Sequence, residues 1–449
     1  MGIRAYPAAM MITRFAPSPT GRLHVGNVRT ALLNWLLARQ GSGRFLLRLD
    51  DTDTARSTEA FAQSIRDDLA WLGMAPDGEE KQSLRMARYE QVLGQLAEAG
   101  HAYRCYETPE ELDLKRKVLL GRGLPPVYDR GALALTEADH SRFAADGLKP
   151  HWRFKLSAEA PHAWDDLVRG PSHIDPASLS DPVIRRADGG WLYMLPSVID
   201  DVDMAVTHVV RGEDHVTNTG VQLQMFAAMG AAFPQFGHAA LLTGTDGALS
   251  KRIGSVGVGE FRDAGIEPIA LKALLARLGT SQPVEPVTSD APLIAGFDIG
   301  HLGRATARFD EAELVSLNSR ILHATDYAAV RDRVSLTEAE WLAVRGNAAS
   351  VAEAEGWKAV ISGEIAAPDA APEDKEYLQT AAIVLEGMDF GPNVWADLTS
   401  ALKEQTSRKG RPLFGPLRLA LTGRDQGPDM ATLLPLIGRD AALSRLRGA

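Results

Sequence analysis

Cysteine is almost missing from this sequence, which holds only Cys105 among 449 residues. A single thiol cannot form an internal disulfide, and it cannot supply a cysteine-rich zinc site by itself. No segment approaches the roughly 20 apolar residues that a membrane-spanning helix needs. The N-terminal MGIRAYPAAMMITRF also lacks the long apolar core of a secretory signal. We therefore expect a reduced, cytoplasmic location and no membrane partner.

Positive charge is not in excess either, since the net charge is −10 and the pI is about 5.6. This balance argues against a protein that coats nucleic acid indiscriminately, but it permits a nucleic-acid partner bound by a local basic face. One basic segment runs from Lys403 to Arg424, where Glu404 is the only acidic residue. Judged by charge alone, a solvated surface is the commoner explanation of such a segment.

The remaining composition is ordinary, with 45% apolar residues, 24% charged residues, 41 Gly and 25 Pro. These values exclude disordered, collagen-like and coiled-coil proteins. The length exceeds what one compact core usually holds, and it predicts about two to four domains.

The N-terminal part predicts a strand, a loop, a helix and a second strand. The apolar run ITRFA ends before Pro17, and PSPTG is typical of a loop. From about Val25 to Arg39 apolar residues recur at helical spacing, and Gly41 ends the helix. RFLLRLD, which ends at Asp50, is the second strand. Such a unit opens a parallel α/β sheet, which binds nucleotides where a strand's carboxyl end meets a helix N-terminus.

The rest of the chain falls into three stretches. Residues 57–100 predict amphipathic helices, and residues 101–190 are irregular, as expected of an insertion between two halves of a sheet. Strand-like runs resume over residues 192–214. From about residue 266 the pattern is mainly helical to the C-terminus.

Two short motifs suit phosphate chemistry. HVGN begins at His24, where the first helix starts; the helix dipole there attracts phosphate, and Gly26 lets a ligand approach the backbone. LSKR lies in a glycine-rich loop that presents Lys251 as a compact cation. Each motif is weak alone, because a capping histidine and a mobile surface lysine are the commoner explanations.

Together and in this order, the two motifs resemble the paired signatures of class I aminoacyl-tRNA synthetases. The surrounding sequence narrows the resemblance to the bacterial glutamyl-tRNA synthetase family, from near residue 11 to the C-terminus. The resemblance is carried by TRFAPSPTGRLHVGNVRTALLNWLLAR, RFLLRLDDTD, YEQVLGQL, AYRCYETPEEL, VTHVVRGEDH, PLFGPLRLALTG and LLPLIGR. Several ordered motifs over nearly the whole chain argue against chance similarity.

The resemblance implies an α/β Rossmann-type catalytic domain with an α+β insertion, followed by an all-α C-terminal anticodon-binding region. It implies a monomer. The implied ranges are 10–89 for the first Rossmann half, 90–191 for an insertion that binds the acceptor end of tRNA, 192–240 for the second Rossmann half, 241–322 for a stem-contact region with the LSKR loop, and 323–449 for the helical anticodon-binding region.

The resemblance also implies a reaction in two steps. Glutamate and ATP form enzyme-bound glutamyl-adenylate and pyrophosphate, and the glutamyl group then passes to the terminal adenosine of tRNA. His24 and Lys251 are the implied catalytic residues, because both would stabilise phosphate oxygens whose charge changes during reaction. The implied ATP-binding residues are Pro17, His24, Gly26, Asn27, Ser250, Lys251 and Arg252, and magnesium would accompany ATP.

The implied glutamate pocket matches the charges of its substrate. Two carboxylates and an ammonium need two cations and an anion, and these would be Arg14, Arg211 and Asp50. Glutamine would leave a desolvated guanidinium unpaired. In the alternative interpretation, Arg14 and Asp50 merely pair with each other. The implied glutamate-binding residues are Arg14, Ser18, Asp50, Tyr193, Ser197 and Arg211.

The sequence departs from the family pattern within these sites. Asp50 stands where glutamate is common, which shortens the side chain by a methylene that a bridging water would replace. Ser197 stands where asparagine or cysteine is common and would widen the pocket. Ala248 replaces the first lysine of the Lys-x-Ser-Lys motif, so neutralisation of pyrophosphate depends more on Lys251.

A zinc site of some family members is also incomplete here. Those members use a Cys-x-Cys pair and a later Cys-x-His, whereas this chain has Cys105 followed by Glu107, and no cysteine from Val127 to Leu133. One thiolate cannot close a tetrahedral site. We therefore predict no structural zinc.

The helical C-terminal region is expected to read the anticodon by base stacking and edge hydrogen bonds. Arg345 or Asn347 lies near the family's position for sensing the third anticodon base. If no arginine senses that base, the enzyme charges tRNA(Gln) as well as tRNA(Glu).

Four other functions are compatible with part of this sequence. A shortened paralogue that glutamylates a modified tRNA base lacks the anticodon domain, whereas this chain keeps a long helical region after Asp310. Glutaminyl-tRNA synthetase has a β-barrel C-terminal part, which the helical pattern disfavours. A cofactor nucleotidylyltransferase is usually much shorter. A non-catalytic tRNA-binding paralogue would need none of the phosphate and carboxylate ligands.

Overall fold

The computed structural model describes residues 10–244, 257–366 and 371–449. Two compact units divide the chain. The first contains Met1–Phe261, Lys272–Val284 and Ser289–Asp310, and the second contains Arg262–Leu271, Glu285–Thr288 and Glu311–Ala449. Within the described ranges, no helix is long and apolar enough to cross a membrane.

The strands of the described residues all belong to the first unit. In chain order they are β1 Ile12–Phe15, β2 Arg44–Leu49, β3 Gly78–Lys81, β4 Ala102–Cys105, β5 His151–Phe154, β6 Ala163–Asp166, β7 Gly170–His173, β8 Val183–Arg185, β9 His208–Gly212, β10 Gln235–Ala239, β11 Leu242–Thr243 and β12 Ala307–Arg308.

The α-helices are spread over both units. Those before Glu311 are α1 Val25–Gln40, α2 Glu59–Trp71, α3 Met86–Glu98, α4 Pro109–Gly121, α5 Glu137–Ala145, α6 Met194–Asp203, α7 Val216–Ala228, α8 Val258–Asp263, α9 Pro268–Arg277 and α10 Asp290–Ala295. The later ones are α11 Glu311–Ala324, α12 Glu338–Val344, α13 Val351–Glu355, α14 Trp357–Ser362, α15 Pro372–Gly387, α16 Val394–Thr406, α17 Arg411–Thr422, α18 Met430–Ile437 and α19 Arg439–Gly448.

The first unit is built on a parallel sheet in the order β10-β9-β1-β2-β3. β1 and β9 pair at Thr13 and His208, so the strands before the irregular stretch and those after it share one sheet. β1 and β2 flank α1 in sequence, as the strand–helix–strand pattern predicts. The α/β class of the catalytic region is therefore confirmed.

Helix α1 is anchored to the sheet by polar contacts as well as by its apolar side chains. Asn34 Nδ2 donates to the Val210 carbonyl at 2.8 Å, and Thr13 Oγ1 donates to the Asn34 carbonyl at 2.9 Å. The side chain of Asn34 is completely buried. These bonds fix the helix against β1 and β9, whose carboxyl ends approach its N-terminus.

The predicted insertion is a small α+β region. Strands β4, β5 and β8 form an antiparallel sheet, and β6 and β7 form a separate antiparallel pair. Directly after β6, the Leu167 N–H donates to the Phe236 carbonyl at 2.8 Å. The β6–β7 hairpin is therefore bound to β10 of the parallel sheet.

The second unit is helical, which confirms the predicted all-α C-terminal region. Its core is a cluster of buried side chains that includes Trp341 and Trp357. Tyr377 of α15 donates through its hydroxyl to the Leu413 carbonyl of α17 at 2.7 Å, so a buried polar contact joins these two helices. Trp341 Nε1 likewise donates to the Thr325 carbonyl at 3.0 Å.

Candidate active site

A cavity of about 480 Å³ lies at the carboxyl ends of β1 and β9, beside the N-terminus of α1. The sheet brings together residues that are far apart in the sequence. The predicted site residues that line the cavity are Arg14, Pro17, Ser18, His24, Gly26, Asn27, Asp50, Tyr193 and Arg211. Its position matches the place where open α/β sheets bind nucleotides.

Four of the residues predicted for the glutamate and ATP sites are not found in the described lining of the cavity. Ser250, Lys251 and Arg252 lie outside the described residues. Ser197 is described but completely buried, and its Oγ accepts a hydrogen bond from Arg48 Nη2 at 2.9 Å. Ser197 therefore does not line the described cavity itself, but contacts Arg48, which also donates to the lining residue Asp50.

His24 caps helix α1 and also faces the cavity. Its Nδ1 accepts the Gly26 N–H at 3.2 Å, and its own backbone N–H donates to Asn27 Oδ1 at 3.2 Å. Burial lowers the pKa of His24, so the neutral ring carries its proton on Nε2. Capping and phosphate binding are thus compatible, because Nδ1 serves the helix while Nε2 remains a donor.

Position 26 favours glycine because a side chain there would crowd the His24 ring. A Cβ at this position would lie 3.1 Å from both Nδ1 and Cε1 of His24. Such a contact is tight, so any larger residue would displace the imidazole from the N-terminus of α1.

Arg211 is a buried cation surrounded by neutral partners. Its Nη1 donates to the Tyr193 hydroxyl at 2.9 Å. Its Nη2 donates to Thr219 Oγ1 at 2.5 Å and to Gln222 Oε1 at 2.8 Å. None of its hydrogen-bond partners in the described part of the chain is a carboxylate. Burial lowers the pKa of Arg211 because the charge lacks solvent, and an anionic ligand would compensate it.

Arg14 and Asp50 do not pair with each other. Arg14 Nε donates to Asp201 Oδ1 at 3.1 Å, whereas Asp50 accepts from Arg48 Nε at 2.7 Å. Arg48 Nη1 also donates to Asp201 Oδ1 at 2.7 Å. The alternative of a simple Arg14–Asp50 pair is therefore wrong, and both residues instead belong to one buried network.

Sequence analysis missed the centre of this network, Arg48 and Asp201. The side chain of Arg48 has 0% exposure and that of Asp201 has 4% exposure. Although burial opposes ionisation, Arg14 and Arg48 hold the pKa of Asp201 below its usual range. The sequence did carry a signal, because Arg48 interrupts the apolar run of the strand RFLLRLD near its carboxyl end. A charge buried at that position needs a partner.

Arg29 is a second residue that sequence analysis missed. It lines the cavity, and its guanidinium donates to the Ala240 carbonyl at 2.6 Å and the Leu278 carbonyl at 2.8 Å. Burial lowers the pKa of Arg29 to about 10. The signal was its helical spacing, four residues after Val25 and three before Leu32, on a face that is otherwise apolar. Arg29 adds positive charge beside the N-terminus of α1.

The incomplete zinc site gains a third donor in the structure. Donor atoms of Cys105, Glu107 and His151 all lie within 4.8 Å of one another. His151 is opposite Cys105 in the antiparallel β4–β5 ladder. The spacing of residues along the sequence could not reveal His151 as a donor, because the pairing of β4 with β5 brings it next to Cys105.

Two of these three side chains, Glu107 and Cys105, have other partners that compete with a metal, whereas His151 Nε2 is buried without a hydrogen-bond partner among the described residues. The Tyr128 hydroxyl donates to Glu107 Oε1 at 2.7 Å and lies 3.8 Å from Cys105 Sγ. Lys115 Nζ is 3.6 Å from Glu107 Oε1, and the Arg153 guanidinium lies 4.1 Å from the centroid of the Tyr128 ring. This local positive charge disfavours a further cation, and the donor set therefore fits a structural zinc poorly.

Comparison with known protein families shows the family to which the chain belongs. Residues 10–315 match the family described as "tRNA synthetases class I (E and Q), catalytic domain", which is more than half of the chain. The chain belongs to the class I tRNA synthetases of the glutamate and glutamine type. Residues 362–449 of this class I synthetase match a second family, described as "Anticodon binding domain".

Relatives of this class I synthetase are similar over nearly their whole length. Glutamate–tRNA ligase 1 of Rhizorhabdus wittichii is 61% identical over 442 residues, which cover 98% of this chain and 100% of the relative. Glutamate–tRNA ligase 1 of Novosphingobium aromaticivorans is 57% identical, with 97% and 99% covered. A crystal structure of a glutamate tRNA ligase from Elizabethkingia meningosepticum in complex with its amino acid has a TM-score of 0.83 at 27% identity, covering 98% of each chain.

The two predicted anticodon residues precede the matched anticodon-binding segment. Arg345 and Asn347 lie in a short 3-10 turn after α12. Arg345 Nη1 donates to the Thr325 carbonyl, whereas Asn347 is exposed. The basic segment from Lys403 to Arg424, in contrast, lies within the matched residues.

Proposed function

We propose that this class I synthetase is a glutamate–tRNA ligase, which activates L-glutamate with ATP and transfers it to the terminal adenosine of tRNA(Glu). The observation that carries the proposal is Arg211, a buried cation with neutral partners in a cavity that Arg14 also lines. A side-chain carboxylate would compensate Arg211, whereas the amide of glutamine would not. The names of two similar proteins, both glutamate–tRNA ligases, support the same substrate.

The phosphate side of the site is built around the N-terminus of α1. His24 Nε2 donates to the reacting phosphate, and Gly26 and Asn27 place backbone N–H groups and the helix dipole beside it. Pro17 forms the wall where β1 ends. Ser250, Lys251 and Arg252 complete the proposed ATP site, with Lys251 neutralising the departing pyrophosphate.

The glutamate side of the site lies between the two arginines. The reacting carboxylate must face the phosphate beside α1, so the proposal assigns the side-chain carboxylate to Arg211 and the Tyr193 hydroxyl. Arg14 lies on β1, the strand next to β9 in the sheet, where it neutralises the substrate's charge. Asp50 and Ser18 receive the ammonium. Arg48 and Asp201 hold Arg14 and Asp50 in place without touching the substrate.

The proposal includes tRNA(Gln) as a second acceptor, and Arg345 and Asn347 as residues near the third anticodon base. Purified tRNA(Glu) and tRNA(Gln) charged separately with radioactive glutamate test this specificity. If Arg345 does not sense the third anticodon base, both tRNAs should accept glutamate. Charging of tRNA(Glu) alone would contradict the relaxed specificity and leave the ligase activity intact.

We further propose that magnesium enters with ATP and that the enzyme holds no structural zinc. Metal analysis of the purified protein should find less than about 0.1 zinc per chain, because a structural zinc site normally stays fully occupied. Cys105→Ser should accordingly lower the melting temperature by only a few degrees, as expected for a small change in a buried hydrogen-bonded group. Stoichiometric zinc that disappears in Cys105→Ser would contradict the proposal.

ATP–pyrophosphate exchange combined with tRNA charging tests the function itself. Exchange should depend on glutamate, and glutamine or aspartate should not replace it. Periodate oxidation of the tRNA's terminal ribose should abolish charging, since that ribose is the proposed acceptor. Charging that survives periodate would favour the paralogue that modifies a tRNA base.

The enzyme acts as a cytoplasmic monomer. Its proposed domains are residues 10–89 and 192–240 for the two Rossmann halves, 90–191 for the acceptor-end-binding insertion, 241–322 for the stem-contact region and 323–449 for the anticodon-binding region.

A further inference from the structure

Behind Arg211 lies a buried carboxylate–imidazole pair that the reaction described above does not use. Asp166 Oδ2 and His238 Nδ1 are 2.5 Å apart, and both side chains have 0% exposure. Asp166 ends β6 in the insertion, whereas His238 lies on β10 of the parallel sheet. The pair therefore joins the β6–β7 hairpin to β10, whose last residue, Ala239, lines the cavity.

The surroundings of Asp166 keep it ionised. Besides the His238 ring, it accepts the Trp164 Nε1–H at 3.1 Å and the backbone N–H groups of Val168 and Arg169, each at 3.0 Å. Burial opposes the charge, but these donors hold the pKa of Asp166 well below its usual range. An ionised carboxylate can only accept hydrogen bonds, so His238 Nδ1 must carry the proton.

The other ring nitrogen of His238 consequently faces Arg211 as an acceptor. His238 Nε2 is 2.8 Å from Thr219 Oγ1 and 3.3 Å from Arg211 Nε. Thr219 Oγ1 also accepts Arg211 Nη2–H at 2.5 Å. A continuous chain of hydrogen bonds thus leads from the carboxylate of Asp166 through His238 and Thr219 to the guanidinium.

We propose that Asp166 and His238 are positioning residues that hold Arg211 in place for the side-chain carboxylate of glutamate. The inference rests on the proposed function. A carboxylate in direct contact with Arg211 would neutralise the guanidinium and compete with the substrate. A neutral imidazole fixed in one tautomer orients the guanidinium without an ion pair, so the charge remains available for the ligand.

Two replacements of His238 separate positioning from packing. His238→Phe keeps a ring of similar shape against Phe236, whose ring centroid is 6.4 Å away, but it removes the acceptor. The KM for glutamate should rise about 10- to 100-fold because a buried donor loses its partner, while the KM for ATP changes less than about twofold. His238→Gln restores an acceptor oxygen without a ring, and it should recover most of the loss. If His238 acted through packing alone, His238→Phe would keep the KM for glutamate closer to the wild-type value than His238→Gln.

Asp166→Asn tests the tautomer, and its neighbour provides a matched control. The asparagine amide can donate to His238 Nδ1, which would turn Nε2–H towards Arg211 and weaken the site. The KM for glutamate should therefore rise by about 10-fold or more, as for other buried hydrogen bonds to charged groups. Asp165→Asn makes the same change at an exposed position of the same hairpin and should leave both KM values unchanged.

The tautomer can also be measured in the unmodified enzyme, so the result does not depend on the activity of a variant. Nitrogen-15 NMR of labelled histidine, with the signal assigned by its loss in His238→Gln, should show a protonated Nδ1 and an unprotonated Nε2. A protonated Nε2 at neutral pH would overturn the inference. An active wild type whose His238→Phe variant keeps its KM for glutamate would do the same, whereas a wild type without glutamate-dependent exchange would refute the proposed function instead.

Discussion

Arg211→Gln should reduce kcat/KM for glutamate about 1,000-fold in ATP–pyrophosphate exchange, because removing one partner of a buried charge pair costs several kcal/mol. Glutamine keeps the polarity of the site and much of its volume, so the change removes mainly the cation. The KM for ATP should change less than about twofold, since the proposed phosphate contacts come from α1 and the LSKR loop. The variant should also lose most of its preference for glutamate over glutamine.

Arg186→Gln provides the control for this prediction. The Arg186 side chain is 53% exposed and its nearest acidic partner, Asp188, is 3.8 Å away. This change removes an equal charge outside the cavity, and it should leave exchange unaltered. If Arg211→Gln behaved like Arg186→Gln, Arg211 could not be the residue that binds the side-chain carboxylate.

Lys251→Ala should reduce the rate of adenylate formation about 100- to 1,000-fold, as observed when an enzyme loses a contact to a developing negative charge. The loss should appear in kcat, because the lysine is proposed to neutralise pyrophosphate as it leaves. Glutamate affinity, measured by calorimetry, should change less than about threefold, since the proposal places no contact between Lys251 and the amino acid. Single-turnover kinetics with radioactive ATP measure the chemical step directly.

Lys375→Ala is the matched control for the lysine prediction. Lys375 is exposed on α15. Its replacement removes the same charge, but it is far in sequence from every residue proposed to contact phosphate. It should not change adenylate formation. Equal losses of glutamate binding and adenylate formation in Lys251→Ala would mean that the loop lysine has been assigned the wrong role.

Local sequence signals predicted the elements that shape the site. The apolar run before Pro17 and the HVGN motif predicted β1 and the start of α1, and the structure places His24 at the N-cap of that helix. Arg14 and Arg211 both lie near the carboxyl ends of parallel strands, and such strand ends share one edge of the sheet. Their convergence on one cavity therefore follows from topology.

The contacts that support the site could not be predicted in the same way, because they join residues remote in sequence. Arg48 meets Asp201 across a separation of 153 residues, and His238 meets Asp166 across 72. A strand pattern shows that a buried charge needs a partner, but it does not show which acid supplies it. The contact of Ser197 on α6 with Arg48 on β2 was not predicted for the same reason, since 149 residues separate the two in sequence.

Antiparallel register explains the donor cluster in the insertion, which the sequence also concealed. His151 faces Cys105 because β4 and β5 pair at that position, and a shift of one residue would point the histidine to the other side. Spacing rules for zinc sites describe ligands in loops, so they overlook a ligand brought by strand pairing.

A crystal structure with a non-hydrolysable glutamyl-adenylate analogue tests the central claim most directly. The account predicts that the ligand's side-chain carboxylate lies within hydrogen-bond distance of Arg211 and the Tyr193 hydroxyl, with its ammonium near Asp50 and its phosphate beside His24. A ligand that leaves Arg211 without an anionic partner, or that places its carboxylate away from this cavity, would contradict the account.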